Sequence, residues 1–330
     1  MGVKRKILAG LVVLGVAPGT FVRSDLPPPD FTSPVAIQRL KTEPARSGPL
    51  VLEDAWVLSS KNDHFGGFSA LIAWEPDEFL AANDAGRLMR LPRPDRSAAP
   101  PTLDRFLNFE RVDKTHVDIE SMTFDPVTGE VWAGLEWAQQ IIRFGPRLQH
   151  RAQVRPPEMM EWGGNSGPES MVRLKDGRFI VIEERASADG LHEALLFPGD
   201  PTDNDKPMRF VFQARDGYRP SDAALLPNGR ILVLLRGVEL GWPLSFPALL
   251  VVADPRDIAE DTVLPSRFLA KIDEPFPSDN FEGLTVVEEK DGSWSVWLIS
   301  DDNFASYQST LLLKLRWDRN QAQARQKARR

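Results

Sequence analysis

Acidic side chains recur at one position of a repeated pattern in this chain. Five copies of the pattern begin at intervals of 51, 49, 53 and 60 residues. Their leading position holds, in order, Ser69, Glu120, Glu169, Asp222 and Glu282. Equivalent positions of a ring of repeats converge on the ring axis. We therefore expect the four carboxyl groups to lie close together.

Carboxylates that converge in this way repel one another, so each pKa rises unless a cation neutralises them. Their oxygens suit Ca²⁺ or Mg²⁺. The pattern predicts a divalent cation, with Ca²⁺ favoured, at one mouth of a central channel. Further oxygen ligands could come from Asp118, Asn165, Asp279 and Asn280. The alternative is that the acids accept hydrogen bonds from backbone N–H groups, or remain hydrated without metal.

Basic side chains near the same positions could take part in catalysis. His64 lies just before the first copy, and His116 lies four residues before Glu120. Both loops should reach the face where the acids gather, and either imidazole could act as a general base. Arg185 and Arg236 stand at the ends of second strands and could orient an anionic ester or phosphate group.

Paired apolar strands must position these residues. In the third copy, for example, Glu169–Leu174 and Phe179–Glu184 flank an Asp-Gly turn. Such turns supply the positive φ angles of tight hairpins, and no long window shows helical periodicity. A four-stranded unit of about 50 residues is the size of a propeller blade. We predict an all-β fold, a β-propeller of five four-stranded blades.

Closure of the ring is predicted from an unmatched strand. Leu50–Ser59 precedes the first copy, whereas the fifth copy has no obvious fourth strand after Thr310–Trp317. The N-terminal strand is therefore expected to complete the fifth blade. Six blades is the alternative, if this strand belongs to a degenerate blade of its own.

The N-terminus has the features of an export signal. A basic run at residues 4–6 precedes an apolar run from Ile7 to Val16, which is too short to span a bilayer comfortably. Residues 1–24 are predicted to be a signal peptide, with an uncleaved anchor as the alternative, and the protein is expected to be periplasmic or secreted. The remaining boundaries are predicted as a linker at 25–49, the propeller at 50–318 and a basic disordered tail at 319–330.

Charge and composition exclude several classes of function. Residues 1–24 and 319–330 hold nine of the 40 basic and none of the 47 acidic residues, so the body carries a net charge of −16. Nucleic acid is a poor partner for such a body. The absence of cysteine excludes disulfides and thiolate chemistry. No membrane contact is expected beyond the signal segment, and the protein is expected to be a monomer.

Several of the repeated segments also resemble a known family. They are Phe65-Gly-Gly-Phe-Ser69, Asp118-Ile-Glu-Ser-Met122, Gly167-Pro-Glu-Ser-Met171, Pro220-Ser-Asp222 with Leu226-Pro-Asn-Gly229, and Asn280-Phe-Glu-Gly-Leu284 with Ser300-Asp-Asp-Asn-Phe304. Over residues 50–318 the chain resembles the phytase-like, or "esterase-like activity of phytase", propellers of bacteria. The resemblance implies an exported propeller with ester or phosphoester hydrolase activity. Two copies carry Glu-Ser where Glu-Gly is expected, and the fourth carries Asp-Ala.

Two functions follow as hypotheses. The first is a hydrolase of a small ester, lactone or phosphoester, in which Glu120, Glu169, Asp222 and Glu282 hold the cation. The second is a non-catalytic propeller of the cell envelope that binds a ligand or a protein. The sequence displays none of the closely packed acidic clusters with which alkaline propeller phytases hold several Ca²⁺ ions, so phytate itself is not the expected substrate.

Overall fold

The computed structural model describes residues 30–318, apart from 107–117, 164–165, 188–189, 216, 240–244 and 306. In this part of the chain, the regular structure consists of β-strands and three short 3₁₀ turns, at Pro157–Glu161, Pro201–Asp203 and Pro255–Asp257. No helix among the described residues is long and apolar enough to cross a membrane.

The strands form five sheets in sequence order, which are the five predicted blades. Blade 1 contains β4 (Phe68–Glu75), β5 (Glu78–Asn83), β6 (Arg87–Pro92) and β7 (Thr102–Arg105). Blade 2 contains β8 (Ile119–Phe124), β9 (Val131–Leu135), β10 (Gln140–Phe144) and β11 (His150–Val154). Blade 3 contains β12 (Pro168–Arg173), β13 (Phe179–Ala186), β14 (Leu191–Phe197) and β15 (Met208–Gln213), with β19 (Val263–Leu264) parallel at its outer edge.

Blade 4 contains β16 (Tyr218–Leu225), β17 (Ile231–Gly237), β18 (Ala248–Ala253) and β20 (Arg267–Ile272). Blade 5 joins the two ends of the chain and contains β21 (Asn280–Glu288), β22 (Trp294–Asp301), β23 (Thr310–Trp317) and β3 (Leu50–Ser59). Strand β3 pairs antiparallel with β23, from Leu50 opposite Trp317 to Leu58 opposite Thr310. The five-bladed fold with an N-terminal closing strand is therefore confirmed, and six blades is wrong.

Two short strands lie upstream of β3, inside the range predicted as a linker. β1 (Ala36–Arg39) pairs with β3, and β2 (Arg46–Ser47) forms a hairpin with it. The outer edge of blade 5 is thereby covered, so that β3 does not present a row of unpaired backbone groups.

The innermost strands β4, β8, β12, β16 and β21 contact one another in turn, and β21 contacts β4 to close the ring. Side chains bond across the gaps between blades. Ser69 Oγ donates to the carbonyl oxygen of Ile119, and Ser121 Oγ donates to that of Pro168. These bonds fix the spacing of neighbouring inner strands, and with it the spacing of the residues that lead each strand.

Apolar side chains fill the space between adjacent blades. Middle strands such as β18 are buried along their whole length because another blade covers each face. Within blade 5, Trp56 stacks on Trp297 at 5.6 Å, and across the interface with blade 1, Phe79 packs against Trp297 at 4.8 Å between ring centroids. Buried aromatic pairs of this kind contribute about 0.5–1.5 kcal/mol beyond the burial of their area.

Candidate functional site

Each innermost strand carries a one-residue β-bulge at its beginning. The pairing with the second strand skips one residue in each blade, for example between Ile119 and Ser121 and between Phe281 and Gly283. The five skipped residues are Ser69, Glu120, Glu169, Ser221 and Glu282. A bulge re-aims a side chain without ending the strand, and here it gives the leading position of each repeat its orientation.

The strand register of blade 4 shows that the predicted leading residue of the fourth repeat is wrong by one position. Its skipped residue is Ser221, so Asp222 lies one position further along, and a shift of one residue turns a side chain to the other face. Asp222 is fully buried and accepts hydrogen bonds from the backbone N–H groups of Leu284 at 2.7 Å and Ala223 at 2.8 Å. Its pKa is raised well above the usual range by burial, although these donors oppose the rise. Asp222 therefore ties inner strands together and does not line the cavity described next.

The second strands contribute a second set of side chains at the same end of the ring. In each second strand, the residue that follows the partner of the last residue before the bulge is Asp84, Glu136, Glu184, Arg236 or Asp301. All five line one cavity together with the leading acids Glu120, Glu169 and Glu282. The structure therefore brings two layers of charged side chains to the mouth of the channel.

This central cavity has a volume of about 560 Å³. Its lining also includes Gly67, Ser69, Asp118, Trp137, Arg219 and Asn303. Eight carboxyl groups thus face two guanidinium groups, which leaves six negative charges uncompensated if every group is ionised. Such an excess of one sign in a confined space favours either protonation or the binding of a cation.

Five of the carboxyl groups approach one another closely. Asp118, Glu120 and Glu136 form one set, and Glu136, Glu169 and Glu184 form another. Within each set, one oxygen of every carboxylate lies within 4.8 Å of the others. Glu136 belongs to both sets and comes from blade 2, whereas Glu169 and Glu184 come from blade 3. The donor atoms are all carboxylate oxygens, the ligands that Ca²⁺ and Mg²⁺ prefer.

Arg236 is the main positive charge inside this group. Its Nη2 donates to Glu184 Oε1 at 2.8 Å, and its Nη1 donates to Glu282 Oε1. The surrounding glutamates raise the pKa of Arg236, so it stays charged. Arg219, which is 59% exposed, lies 3.4 Å from Glu184 and leaves most of its guanidinium at the cavity rim.

Burial and mutual repulsion both raise the pKa values of the leading glutamates. Burial raises the pKa of Glu120 well above its usual range, and Glu169 and Asp118 raise it further. Burial and the charge of Glu184 likewise raise the pKa of Glu169 well above its usual range, although the charge of Arg236 opposes this rise. The pKa of Glu282 is also raised by burial, against the opposing effects of Arg236 and a hydrogen bond from Asn280. A bound cation would remove the main electrostatic cost of ionising these groups.

The pKa of Asp301 is also raised. Burial raises its pKa to about 8, and the charge of Glu282 adds to the rise. A carboxyl group with a pKa near neutrality can both donate and accept a proton under physiological conditions.

A comparison with protein families gives one match that spans all five inner strands. The model of the phytase-like family, described as esterase-like activity of phytase, matches residues 63–304. The chain belongs to the phytase-like family. The predicted resemblance is thus confirmed, and membership indicates a propeller of hydrolase type. A comparison with curated proteins finds none that matches this sequence.

Solved structures that resemble this phytase-like chain do so at low identity. One is Kuenenia stuttgartiensis hydrazine synthase, with a TM-score of 0.39 and 12% identity over 73% of this chain and 58% of the other. A chain of a nidogen/laminin complex has a TM-score of 0.43 and 9% identity over 84% and 96%. The structure of U3-55K has a TM-score of 0.41 and 7% identity over 76% and 96%. This chain therefore spans a little over half the length of the hydrazine synthase chain.

The other predicted site residues of this phytase-like chain that the structure describes lie outside the cavity. His64 lines a second cavity, where its Nε2 accepts a hydrogen bond from Arg87 Nη2 at 2.8 Å. Arg185 is exposed and is not among the lining residues. His116 and Asn165 fall outside the described residues. Of the three predicted catalytic residues within the described part of the chain, Arg236 is the one placed against the acidic cluster.

The two additional oxygen ligands predicted upstream of Glu282 differ in how their oxygens are used. Asp279 accepts from the backbone N–H of Ser309 at 2.8 Å and from Gln308 Nε2 at 3.0 Å. Asn280 is buried, and its Nδ2 donates to Glu282 Oε1 at 2.8 Å, while its Oδ1 accepts no hydrogen bond from the described residues. Among the predicted additional ligands that the structure describes, Asp118 is the one that lies in the acidic sets.

The sequence indicates several members of the cavity only weakly. Asp84, Glu136, Glu184 and Asp301 are polar ends of second strands, which are candidates for a substrate pocket although most such ends are simply solvated. Their position in the repeat distinguishes them, because each directly follows the residue that pairs with the last residue before the bulge. Arg219 and Trp137 had no such signal, since neither lies at an acidic repeat position.

Proposed function

We propose that this phytase-like propeller is an exported hydrolase of small ester, lactone or phosphoester substrates, assisted by a divalent cation, with Ca²⁺ favoured. The observation that supports the proposal is the pair of acidic sets that share Glu136, with oxygens within 4.8 Å of one another. Family membership supports a hydrolase, and the basic and apolar runs of residues 1–24 support a periplasmic or secreted location. The protein would act as a monomer.

The ligands of the cation would be Asp118, Glu120, Glu136, Glu169 and Glu184. When bound, a divalent cation polarises an ester or phosphoryl oxygen and lowers the pKa of water. The protein supplies a site in which these carboxylates are held by strands on two neighbouring blades. The bulges at Glu120 and Glu169 fix their direction before any ligand arrives, so little reorganisation is needed on binding.

The two arginines of the central cavity would have different roles, and that of Arg236 differs from the predicted one. Arg236 is committed to Glu184 and Glu282, so it holds these carboxylates apart and limits their repulsion. Arg219 is 59% exposed and lines the same cavity, and its free donors can pair with an anionic group of the substrate. The ring of Trp137, which is 43% exposed, offers an apolar contact beside it.

Proton transfer would fall to Asp301 rather than to His64. Asp301 lines the central cavity and has its pKa raised to about 8, whereas His64 lies in another cavity and is bonded to Arg87. In its protonated form Asp301 can protonate a leaving group, and in its ionised form it can accept a proton from water. This assignment requires substrate to bind between the acidic sets and blade 5.

The decisive experiment measures Ca²⁺ binding and hydrolysis in a Glu136→Gln variant. Glu136 serves both acidic sets, so its loss should weaken Ca²⁺ binding by at least about tenfold, since losing an outer-shell partner alone costs that much. Hydrolysis of p-nitrophenyl acetate or p-nitrophenyl phosphate by the parent should stop when divalent ions are removed and return with Ca²⁺. The cation-free variant should be at least as stable as the parent at pH 8, because one repelling charge is gone.

The matched control is Glu130→Gln, which stands at the other end of the same strand, about 20 Å away. It should leave Ca²⁺ binding and hydrolysis unchanged. Equal thermal stability and equal hydrolysis of the parent with and without divalent ions would refute the proposal.

A non-catalytic binding propeller is the second candidate. The ion pairs of Arg236 favour it, because they neutralise part of the acidic cluster without a metal. In that case Glu136→Gln would change the binding of a cationic ligand, and a broad screen of ester and phosphoester substrates would detect no turnover by the parent.

A further inference from the structure

A second cavity, separate from the acidic one, lies beside the outer strands of blade 1. It has a volume of about 440 Å³ and is lined by Phe31, Asn62, His64, Arg87, Leu103 and Arg105. Its charged lining residues are two arginines, in a body that carries a net charge of −16. We propose that this cavity binds a small, doubly charged oxyanion such as a phosphate or a dicarboxylate.

The two arginines are direct cross-strand partners. Arg87 in β6 stands opposite Arg105 in β7. Like charges placed directly opposite one another destabilise a sheet, and the charge of Arg105 together with burial lowers the pKa of Arg87. Among the residues that the structure describes, no carboxylate forms an ion pair with either guanidinium. An anion held between them would remove this repulsion and accept from both sets of N–H donors.

The rest of the cavity is fixed before any ligand binds. The imidazole of His64 stacks on Phe31 with ring centroids 4.4 Å apart, and its Nε2 accepts from Arg87 Nη2 at 2.8 Å. Because Nε2 accepts, the ring is neutral and carries its proton on Nδ1. Burial and the nearby Arg87 lower the pKa of His64, which keeps the ring in this form. The hydrogen bond to His64 thereby orients Arg87, and the neutral imidazole adds no positive charge to the cavity.

The loop that carries His64 is held by a buried amide. Asn83 Nδ2 donates to the carbonyl oxygens of His64 at 3.1 Å and Gly66 at 2.8 Å. Asn83 Oδ1 accepts from the backbone N–H of Arg87 at 2.8 Å. The same amide therefore fixes both the loop and the start of β6, so His64 and Arg87 keep their positions relative to each other. Asp63, an acidic neighbour, accepts from the backbone N–H of Asp30 at 2.7 Å.

Two positive charges and a fork of donors on each favour a dianion over a single carboxylate. Phosphate, sulfate and a short dicarboxylate all meet this description. They differ in shape, since phosphate and sulfate are compact and tetrahedral, whereas succinate separates its charges along a flexible chain. Their relative affinities therefore show whether the arginines converge on one point or span two.

The experiment is calorimetric titration of the cation-free parent protein with phosphate, sulfate and succinate at pH 8, with acetate as the singly charged comparison. We expect one saturable site per chain for at least one dianion, and binding at least tenfold weaker for acetate. Arg87→Gln and Arg105→Gln should each weaken dianion binding at least tenfold. The control Arg151→Gln, at an exposed position of β11, should leave it unchanged.

Arg105→Glu tests the same idea at an exposed position, where a charge reversal does not threaten the fold. It should abolish binding while circular dichroism stays as in the parent and the melting temperature is equal or higher, because the repulsion between Arg87 and Arg105 is removed. The titration is then repeated with Ca²⁺ present. Equal affinity with and without Ca²⁺ places the anion in this cavity, whereas binding that requires Ca²⁺ places it in the central cavity and overturns the proposal. The absence of saturable binding for all three dianions, or equal binding by parent and Arg105→Glu, also overturns it.

Discussion

Replacing Arg236 with methionine tests how the acidic cavity is held together. Arg236 bonds Glu184 at 2.8 Å and also Glu282, and its side chain is only 26% exposed. Removing one partner of a buried ion pair costs about 3–5 kcal/mol, because the other partner is left as a buried, uncompensated charge. At roughly 2 °C per kcal/mol for a chain of this size, the melting temperature should fall by about 6–10 °C.

The pH dependence of this loss distinguishes electrostatics from packing. The charge of Arg236 lowers the pKa values of Glu282 and Glu169, so its removal raises both further in the folded state. When the pKa of an acid is higher in the folded than in the unfolded state, the free energy of unfolding falls as the pH rises above the unfolded pKa, which is 4.5 for glutamate. The melting temperature of the Arg236→Met variant should therefore be close to that of the parent at pH 4, and the difference between the two should be largest at pH 8.

The assay is thermal unfolding of cation-free parent and variant from pH 4 to pH 8, followed by circular dichroism. The matched control is Arg219→Gln, which removes a guanidinium from the same Glu184 but from a position that is 59% exposed. An exposed pair contributes at most about 1 kcal/mol. Equal losses in the two variants, or a loss in Arg236→Met that does not change with pH, would refute the reasoning.

Two further predictions concern titration and packing. Because the folded pKa values of Glu120, Glu169 and Asp301 are raised, the last to about 8, the cation-free protein should lose stability as pH rises from about 4 to 8. Melting curves should show that Ca²⁺ reverses this loss and that Asp301→Asn reduces it; a flat profile would contradict both. Gly283→Ala should cost about 1–3 kcal/mol, because its Cβ would lie 2.5 Å from Ile299 Cγ2. Urea unfolding measures this, and an unchanged midpoint would show that blade 5 can relax.

The fold could be predicted from the sequence because its determinants are local. Tight turns such as that ending at Gly229, where φ is +84°, punctuate apolar strands, and the pattern recurs about every 50 residues. The ring closure could also be predicted, since one spare strand at the N-terminal end and one missing strand in the last blade leave few ways to complete the ring.

The candidate site was only partly predictable, and the fourth repeat explains why. Pro220-Ser-Asp222 reads equally well with either polar residue in the leading position, and only the pairing with β17 places the bulge at Ser221. His64 is close to the first repeat in sequence, yet the bond to Arg87 holds it in another cavity. Neither outcome follows from residue types or spacing.

The sequence by itself determined a β-propeller, with five blades favoured over six, and the presence of acids at its repeat positions. Only the tertiary structure decided which acids meet. Asp118, Glu120 and Glu136 come from one blade, and Glu169 and Glu184 come from the next. The separation of less than 5 Å between oxygens of Glu136 and those of Glu169 and Glu184 therefore depends on how the two blades pack. The strength of an electrostatic interaction depends on distance and burial, and for groups in different blades both quantities are set by packing.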